Sequence, residues 1–273
     1  MRNLLLFILF VSFLNVSAQE YRDFVNSGNE CFSEENYKCA IENYNSALSL
    51  IDTKHPKRHL ILSNLGTAQR RYGLKKEALE SYNQALLLAP KDVGILKNRA
   101  SLLRQLNDYN GAIEDYNLII SIDAKDVNAY SERAHTKTVM GDTIAAVNDY
   151  QSALKLNPKF FPAATNLAII KVEQGLLDEA ISDMDEIIAR VPYEAIPFNN
   201  RADFYMRKGE YEKAITDVNK AISLKKTYAN AYVTRGEIYL KMGNRKKAEK
   251  EFKKAIKLGM QSSLVYNLLD QCR

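Results

Sequence analysis

The 273-residue sequence contains no tryptophan, and only three cysteines, three histidines and six prolines. The cysteines form no Cys-x-x-Cys motif, so nothing supports a zinc site or dithiol redox chemistry. His55 and His59 lie four residues apart, but the intervening Pro56 indicates a connecting loop rather than a metal site. No phosphate-binding loop, zinc-protease motif, nucleophile elbow or calcium loop occurs. These absences predict that the protein is not an enzyme, has no catalytic residue and binds no metal or cofactor.

A large excess of one charge is also missing, because 38 lysines and arginines oppose 33 aspartates and glutamates. The most basic stretch, residues 241–257, keeps its apolar side chains at helical spacing and lacks aromatic residues placed for base stacking. We interpret this stretch as the solvated face of a helix, and no nucleic-acid partner is expected.

Long hydrophobic runs are absent beyond the N-terminus, where residues 4–14 form an apolar segment that is short for a membrane span. Arg2 precedes this segment and the small residues Ser17 and Ala18 follow it, a pattern typical of a secretory signal peptide. We predict a signal peptide at residues 1–18, cleaved to leave Gln19 first; a retained anchor is the alternative. The protein is then expected to be exported to the periplasm or cell envelope of a bacterium, or secreted, without stable membrane insertion.

Two of the three cysteines, Cys31 and Cys39, lie on either side of a predicted turn. Exported proteins reach compartments where disulfides form, so a local bridge is conceivable. A bridge needs Cα atoms within about 7 Å and aligned Cβ directions, and the sequence supplies neither. We therefore interpret Cys31 as a small core residue and Cys39 as a surface residue, without a bond between them.

What the sequence does contain is a repeat of 34 residues. Its most regular members are the alanines at position 20, which are Ala40, Ala78, Ala112, Ala146, Ala180, Ala214 and Ala248. Position 8 is always glycine or alanine, and position 24 usually holds a large side chain. Two segments of helical periodicity, separated by a turn signal, fill each repeat. Small residues at positions 8 and 20 allow two helices to approach closely, so each repeat is predicted to be a helical hairpin.

The repeats are predicted at residues 21–54, 59–92, 93–126, 127–160, 161–194, 195–228 and 229–262. A capping helix is predicted at residues 263–273, so that residues 19–273 form one solenoid domain. The order large-x2-Leu-Gly, Ala-x3-aromatic-x2-Ala and Pro, carried almost in full by residues 59–92, resembles the tetratricopeptide repeat (TPR) family. Phe24, Tyr130, Phe198 and Tyr232 stand where that family has its first aromatic residue. The resemblance implies an all-α, right-handed superhelical solenoid of helix-turn-helix units, used to bind a partner.

A second pattern links positions 7 and 23 of the repeat. Where position 7 is arginine, position 23 is acidic; the pairs are Arg99 with Asp115, Arg133 with Asp149, Arg201 with Asp217, and Arg235 with Glu251. Leu167 with Asp183 breaks the correlation. The two positions face each other across a hairpin, so we predict a structural ion pair in each of these four repeats. Ligand binding by the arginines is the alternative.

The resemblance also implies that the first helices of the repeats line a concave groove. Position 6 of these helices is asparagine in five of seven repeats, and positions 12 and 13 carry several basic residues. An amide both donates and accepts hydrogen bonds, so asparagine can pair with a peptide backbone of any sequence, while arginine favours acidic partners. The residues predicted to bind a peptide are Asn64, Asn98, Asn166 and Asn200, with Arg70, Arg104 and Arg207. Asparagines that contact only water are the alternative.

The expected partner is therefore a protein or an extended segment of one. Two other functions stay open: a non-catalytic subunit of a cell-envelope assembly that uses its outer face or ends, and a glycan-binding protein of the envelope. The two-carboxylate clamp of chaperone-binding TPR domains is not expected, because Val25 and Asn98 stand where that clamp has a lysine and an arginine.

Overall fold

The computed structural model describes residues 19–272, which form helices joined by short turns and contain no β-strand in that range. The helices are α1 (residues 19–33), α2 (Tyr37–Ser49), α3 (Arg58–Tyr72), α4 (Lys75–Leu88), α5 (Val93–Gln105), α6 (Tyr109–Ile122), α7 (Val127–Val139), α8 (Thr143–Leu156), α9 (Phe161–Glu173), α10 (Leu177–Arg190), α11 (Ala195–Lys208), α12 (Tyr211–Leu224), α13 (Ala229–Lys241), α14 (Arg245–Lys257) and α15 (Ser263–Asp270). The all-α class predicted from the repeat is confirmed. The predicted signal peptide, residues 1–18, lies outside the described residues. Across residues 19–272, no helix combines the length and apolar character that crossing a membrane requires.

The helix ends follow from short polar side chains and from the residue at position 15 of the repeat. Asp92 and Asp126 cap α5 and α7, each accepting a backbone N–H at 3.0 Å from three residues further on. Position 15 follows the first helix and has a left-handed backbone, as at Gly73 with φ of 100°. Glu35 and Asn107 occupy the same position with φ of 59° and 63°. The turn is thus kept in repeats where the sequence has no glycine to indicate it.

Small residues at position 8 allow the aromatic side chain at position 24 to pack against the first helix of its own hairpin. A Cβ atom added to Gly66 would lie 2.9 Å from the ring of Tyr82, and one added to Gly236 would lie 2.5 Å from the ring of Phe252. Both rings are fully buried. Close packing of this kind fixes how the two helices of a repeat cross.

The chain divides into two compact lobes, an N-terminal lobe that ends at Asp149 and a C-terminal lobe that begins at Tyr150. In the N-terminal lobe, α2 to α7 each pack on the next helix in sequence, and the first helices α3 and α5 also contact each other. In the C-terminal lobe, α9 to α15 pack in the same way, and α11 contacts α13. We call the exposed side of the first helices in each lobe its first-helix face.

Candidate functional site

The first-helix face of the N-terminal lobe carries the first two predicted groove asparagines. Asn64 is exposed on α3 and lines a cavity of about 540 Å³ between α1 and α3, beside Asn26. Asn98 is half-buried on α5. Neither Asn64 nor Asn98 makes a side-chain hydrogen bond to another described residue. Their amides are therefore available to a ligand or to water.

The first-helix face of the C-terminal lobe carries the other two, Asn166 and Asn200. Asn166 lines a mainly apolar cavity of about 560 Å³ between α9 and α11, with Phe161 and Pro197 among its walls. Asn200 lines a separate cavity of about 410 Å³ between α11, α13 and the residues that lead into α15. Within residues 19–272, these two side chains are also without hydrogen-bond partners. In both lobes, the position-6 asparagines present unbonded amides on the first-helix face.

The predicted groove arginines are held by other residues of the chain. Arg70 donates a hydrogen bond of 3.1 Å to the Ser101 hydroxyl. Arg104 forms an ion pair with Glu132, and Arg207 forms one with Asp203 at 2.8 Å. Two of the three arginines therefore already have a carboxylate partner, which reduces the positive charge offered to a ligand.

Asp203 has a second effect on the first-helix face of the C-terminal lobe. Burial and the nearby charge of Asp203 raise the pKa of the Glu237 carboxyl, although Arg207 and Lys241 act in the opposite direction. Two carboxyl groups, those of Asp203 and Glu237, therefore lie close to Arg207 and Lys241 at this end of the face.

The structure brings together all four predicted arginine–acid pairs. Three of the pairs are bidentate: the Nε and Nη2 atoms of Arg99, Arg133 and Arg201 donate to both oxygens of Asp115, Asp149 and Asp217, at 2.6–2.9 Å. The carboxylate side chains are only 3–8% exposed. Hydrogen bonding to Asp217 raises the pKa of Arg201, so its charge is fixed. The geometry indicates that these arginines hold hairpins together and are not offered to a ligand.

The fourth pair has a different geometry. Arg235 donates from Nη2 to one oxygen of Glu251 at 2.8 Å, and its buried Nε has no acceptor among the described residues. This pair is the one of the four whose acid is glutamate, which is one methylene longer than aspartate.

Each of these arginines also bonds to the preceding repeat, a contact that the sequence analysis missed. The Nη1 atoms of Arg99, Arg133, Arg201 and Arg235 donate to Asn83, Asn117, Asp185 and Asn219 at 2.6–2.9 Å. The four acceptors all occupy position 25, on the second helix of the repeat before. One guanidinium therefore joins three helices, and we call this arrangement the arginine clamp.

The repeat with Leu167 at position 7 has another cation for its acid. Lys171, one helical turn later, pairs with Asp183 at 2.7 Å. Lys137 occupies the equivalent position in an earlier repeat and reaches Asp149 at 2.7 Å, next to Arg133. Asp149 consequently has two cationic partners.

The interpretation of Cys31 and Cys39 as unbonded residues is wrong. The two residues form a disulfide across the turn between α1 and α2, with Cα atoms 5.8 Å apart. The three-residue turn places the end of α1 beside the first turn of α2. The two Cα atoms are therefore close enough for a disulfide, which their spacing in the sequence could not show.

His55, one of the two histidines that loosely suggested a metal site, stacks edge-on against Tyr21 at 5.0 Å between ring centroids. Residues 19–272 contain no group of three or more His, Cys, Asp or Glu side chains placed to hold a metal ion.

Comparisons with known proteins agree with the helical-hairpin architecture. Family models described as tetratricopeptide repeat match residues 63–127, 133–195 and 229–261, and a model described as TPR repeat matches residues 202–243. The crystal structure of a tetratricopeptide repeat protein from Parabacteroides merdae is 30% identical, with a TM-score of 0.82 over 93% of this chain and 99% of that chain.

The Cut9–Hcn1 hetero-tetramer of the APC/C is similar in fold alone, at 14% identity and a TM-score of 0.64 over 93% of this chain and 52% of that chain. No curated protein sequence matches the chain. The 30% identity to the Parabacteroides merdae protein, over nearly the whole length of both chains, confirms the resemblance that the 34-residue repeat indicated. The chain belongs to the tetratricopeptide repeat family.

Proposed function

We propose that this protein is an exported scaffold that binds an extended peptide or protein segment along its first-helix faces. Members of its family bind proteins or peptides, and the chain has the hairpins that such scaffolds use. The observation that carries the proposal is the set of unbonded amides at Asn64, Asn98, Asn166 and Asn200. Three of the four line cavities, where a bound backbone would displace water and exchange hydrogen bonds with them.

The arginines of the face have a smaller part in this proposal than the sequence suggested. Arg104 and Arg207 are bound to carboxylates, so attraction of an acidic partner is assigned to Arg70, whose partner is the neutral Ser101 hydroxyl. Recognition then depends mainly on amide hydrogen bonds and on apolar contacts in the cavities.

Export is supported by the predicted signal peptide and by the disulfide between Cys31 and Cys39, because disulfides persist in oxidising compartments. Expression of the whole sequence in a bacterium, followed by fractionation and N-terminal sequencing, tests it. A periplasmic product that starts at Gln19 is the expected result. A cytoplasmic product that keeps residues 1–18 would contradict export.

The binding test compares residues 19–273 with a variant in which Asn64, Asn98, Asn166 and Asn200 are changed to alanine. Both are used to capture partners from envelope extract, and the affinity of each captured protein is then measured with purified components. The matched control changes four amides on second helices, Asn45, Gln84, Asn110 and Gln151, to alanine.

The proposal expects the affinity to fall in the first variant and to stay unchanged in the control. Equal affinity of all three proteins would move the interface to the outer face or the ends, as in a subunit of an envelope assembly. Binding of glycans on an array, with no protein partner, would favour the glycan-binding alternative.

A further inference from the structure

The cavity between α11, α13 and the start of α15 is lined by both polar and apolar side chains. Its volume is about 410 Å³, and we call it the C-terminal hollow. Its lining has six polar residues, which we call the polar wall, and four apolar residues, which we call the apolar wall. The polar wall is Asn199, Asn200, Asp203, Asn230, Thr234 and Ser262, and the apolar wall is Val233, Met260, Leu264 and Val265. The hollow therefore offers both polar and apolar groups to a ligand.

Asn199 is the residue of the polar wall that packing does not explain. It is 7% exposed, and its buried Oδ1 atom has no hydrogen-bond partner among the described residues. A buried polar atom without a partner destabilises the folded state. Position 5 of the repeat, which Asn199 occupies, is valine at Val25 and Val233. An apolar residue is thus compatible with this position, and the amide makes no hydrogen bond to another described residue.

Two further groups of the polar wall are without partners. The side chains of Asn200 and Thr234 make no hydrogen bond within the described part of the chain. Together with Asn199, they contribute two amides and one hydroxyl to the lining of the hollow. Amides and hydroxyls both donate and accept hydrogen bonds, so they can pair with the N–H and C=O groups of an extended peptide.

The apolar wall has an exposed member that nothing in the described structure covers. Leu264 lies in the first turn of α15 and is 60% exposed, whereas Val233 and Val265 beside it are buried. The only ionisable residue of the lining is Asp203, which forms an ion pair with Arg207. The hollow therefore does not favour a charged group on its ligand. Its lining also has no aromatic ring on which a sugar could stack.

We propose that the C-terminal hollow is the anchor subsite for a peptide, with one apolar side chain packed between Val233 and Leu264. Asn199, Asn200 and Thr234 hydrogen-bond the peptide groups on either side of that residue. This inference rests on the proposed function, because it assigns one specific subsite to the peptide that the first-helix face binds. It also adds Asn199, which lies outside the position-6 series.

The test selects phage-displayed random-sequence peptides on residues 19–273 and measures the affinity of the synthetic winners. The winners are expected to share an apolar residue whose change to aspartate abolishes binding. Asn199→Val is expected to weaken binding about tenfold while the melting temperature stays the same or rises, since a buried unbonded amide is removed. A fall in melting temperature together with unchanged affinity would assign Asn199 a structural role and overturn the proposal.

A second pair of variants probes the apolar wall. Leu264→Glu is expected to weaken binding at least about tenfold, and Leu87→Glu, an exposed leucine on a second helix, is the matched control with no effect. Equal affinity of the wild type and of Leu264→Glu would also overturn the subsite.

The subsite and the proposed function fail in distinguishable ways. Changing Asn64, Asn98 and Asn166 to alanine leaves the hollow intact and tests the other position-6 amides alone. Loss of binding in that variant, but not in Asn199→Val or Leu264→Glu, would refute the subsite and keep the function. The reverse result would keep the subsite and refute a role for the other position-6 amides. A selection that enriches no peptide would refute both.

Discussion

Removal of Arg99 should destabilise the fold more than removal of Arg133, although both arginines form the same clamp. Arg99 is the only cation bonded to Asp115 among the described residues, and the Asp115 side chain is 3% exposed. Arg99→Ala therefore leaves a buried carboxylate without a charge partner, which costs about 3–5 kcal/mol. In contrast, Arg133→Ala leaves Lys137 at 2.7 Å from Asp149. Arg133→Ala is therefore expected to lower the free energy of unfolding by about 1.5–3 kcal/mol, which is the loss expected for hydrogen bonds to a charged group.

The assay is urea unfolding followed by circular dichroism, with the midpoint and slope of each transition recorded. An unchanged slope shows that the variant and the wild type unfold with the same exposure of surface. The double variant Arg133→Ala/Lys137→Ala removes both cations from Asp149 and is expected to lose as much stability as Arg99→Ala. Equal losses of stability in Arg99→Ala and Arg133→Ala would refute the reasoning, because Lys137 would then not stabilise the charge of Asp149.

A compensated variant separates the charge effect from the loss of packing. Arg99→Leu/Asp115→Ser copies the pair that stands at these positions in an earlier repeat, Leu65 and Ser81. Replacement of both members of a buried ion pair is often nearly neutral, so this double variant should be more stable than Arg99→Ala. If it is not, the clamp stabilises mainly through its contact with Asn83 of the preceding repeat.

Three further outcomes are expected. Glu251→Asp should let Arg235 bond both carboxylate oxygens and raise the free energy of unfolding by about 1 kcal/mol, measured in urea; no gain would show that side-chain length does not limit the fourth pair. Burial would raise the pKa of Asp126, but hydrogen bonds from Lys97 and a backbone N–H lower it below its ordinary 3.8. Its stabilisation is therefore present above about pH 3.8 and lost as the pH falls through the lowered pKa, so Asp126→Asn should flatten the acid side of the pH–stability curve. Labelling of the denatured, unreduced protein should find Cys272 as the free thiol; three labelled thiols would contradict the disulfide.

The sequence predicted two of the three helices that the arginine clamp joins, but not the third. Matching positions 7 and 23 within one repeat indicated the four ion pairs. The third partner, at position 25 of the preceding repeat, also has a sequence signal. Asn83, Asn117, Asp185 and Asn219 each precede a repeat with arginine and Gln151 precedes the repeat with Leu167, although Asn45 precedes the repeat with Leu65. Comparison across neighbouring repeats, and not only within each one, would have found it.

Other features of the site depend on distances that a repeat alignment does not contain. Arg104 pairs with Glu132 because position 12 of one first helix lies beside position 6 of the next, and consideration of position 12 alone assigned Arg104 to a ligand. The disulfide depends on the angle between α1 and α2, which spacing alone does not give. The C-terminal hollow requires α15 to take the place of a further first helix beside α13, and the volume left between them cannot be worked out from the repeat alignment.

The distribution of polar groups gives the first-helix faces a division of roles. Arginines at position 7 are directed into the hairpins, where buried acids fix them, and the arginines at positions 12 and 13 are largely bound to neighbouring side chains. The amides at position 6, and Asn199 at position 5, make no side-chain hydrogen bond to another described residue. Under the proposed function, faces of this kind recognise backbone hydrogen bonds and shape more than charge. The proposed function then assigns the choice of partner to the apolar cavities between the first helices, because an amide alone does not distinguish one peptide sequence from another.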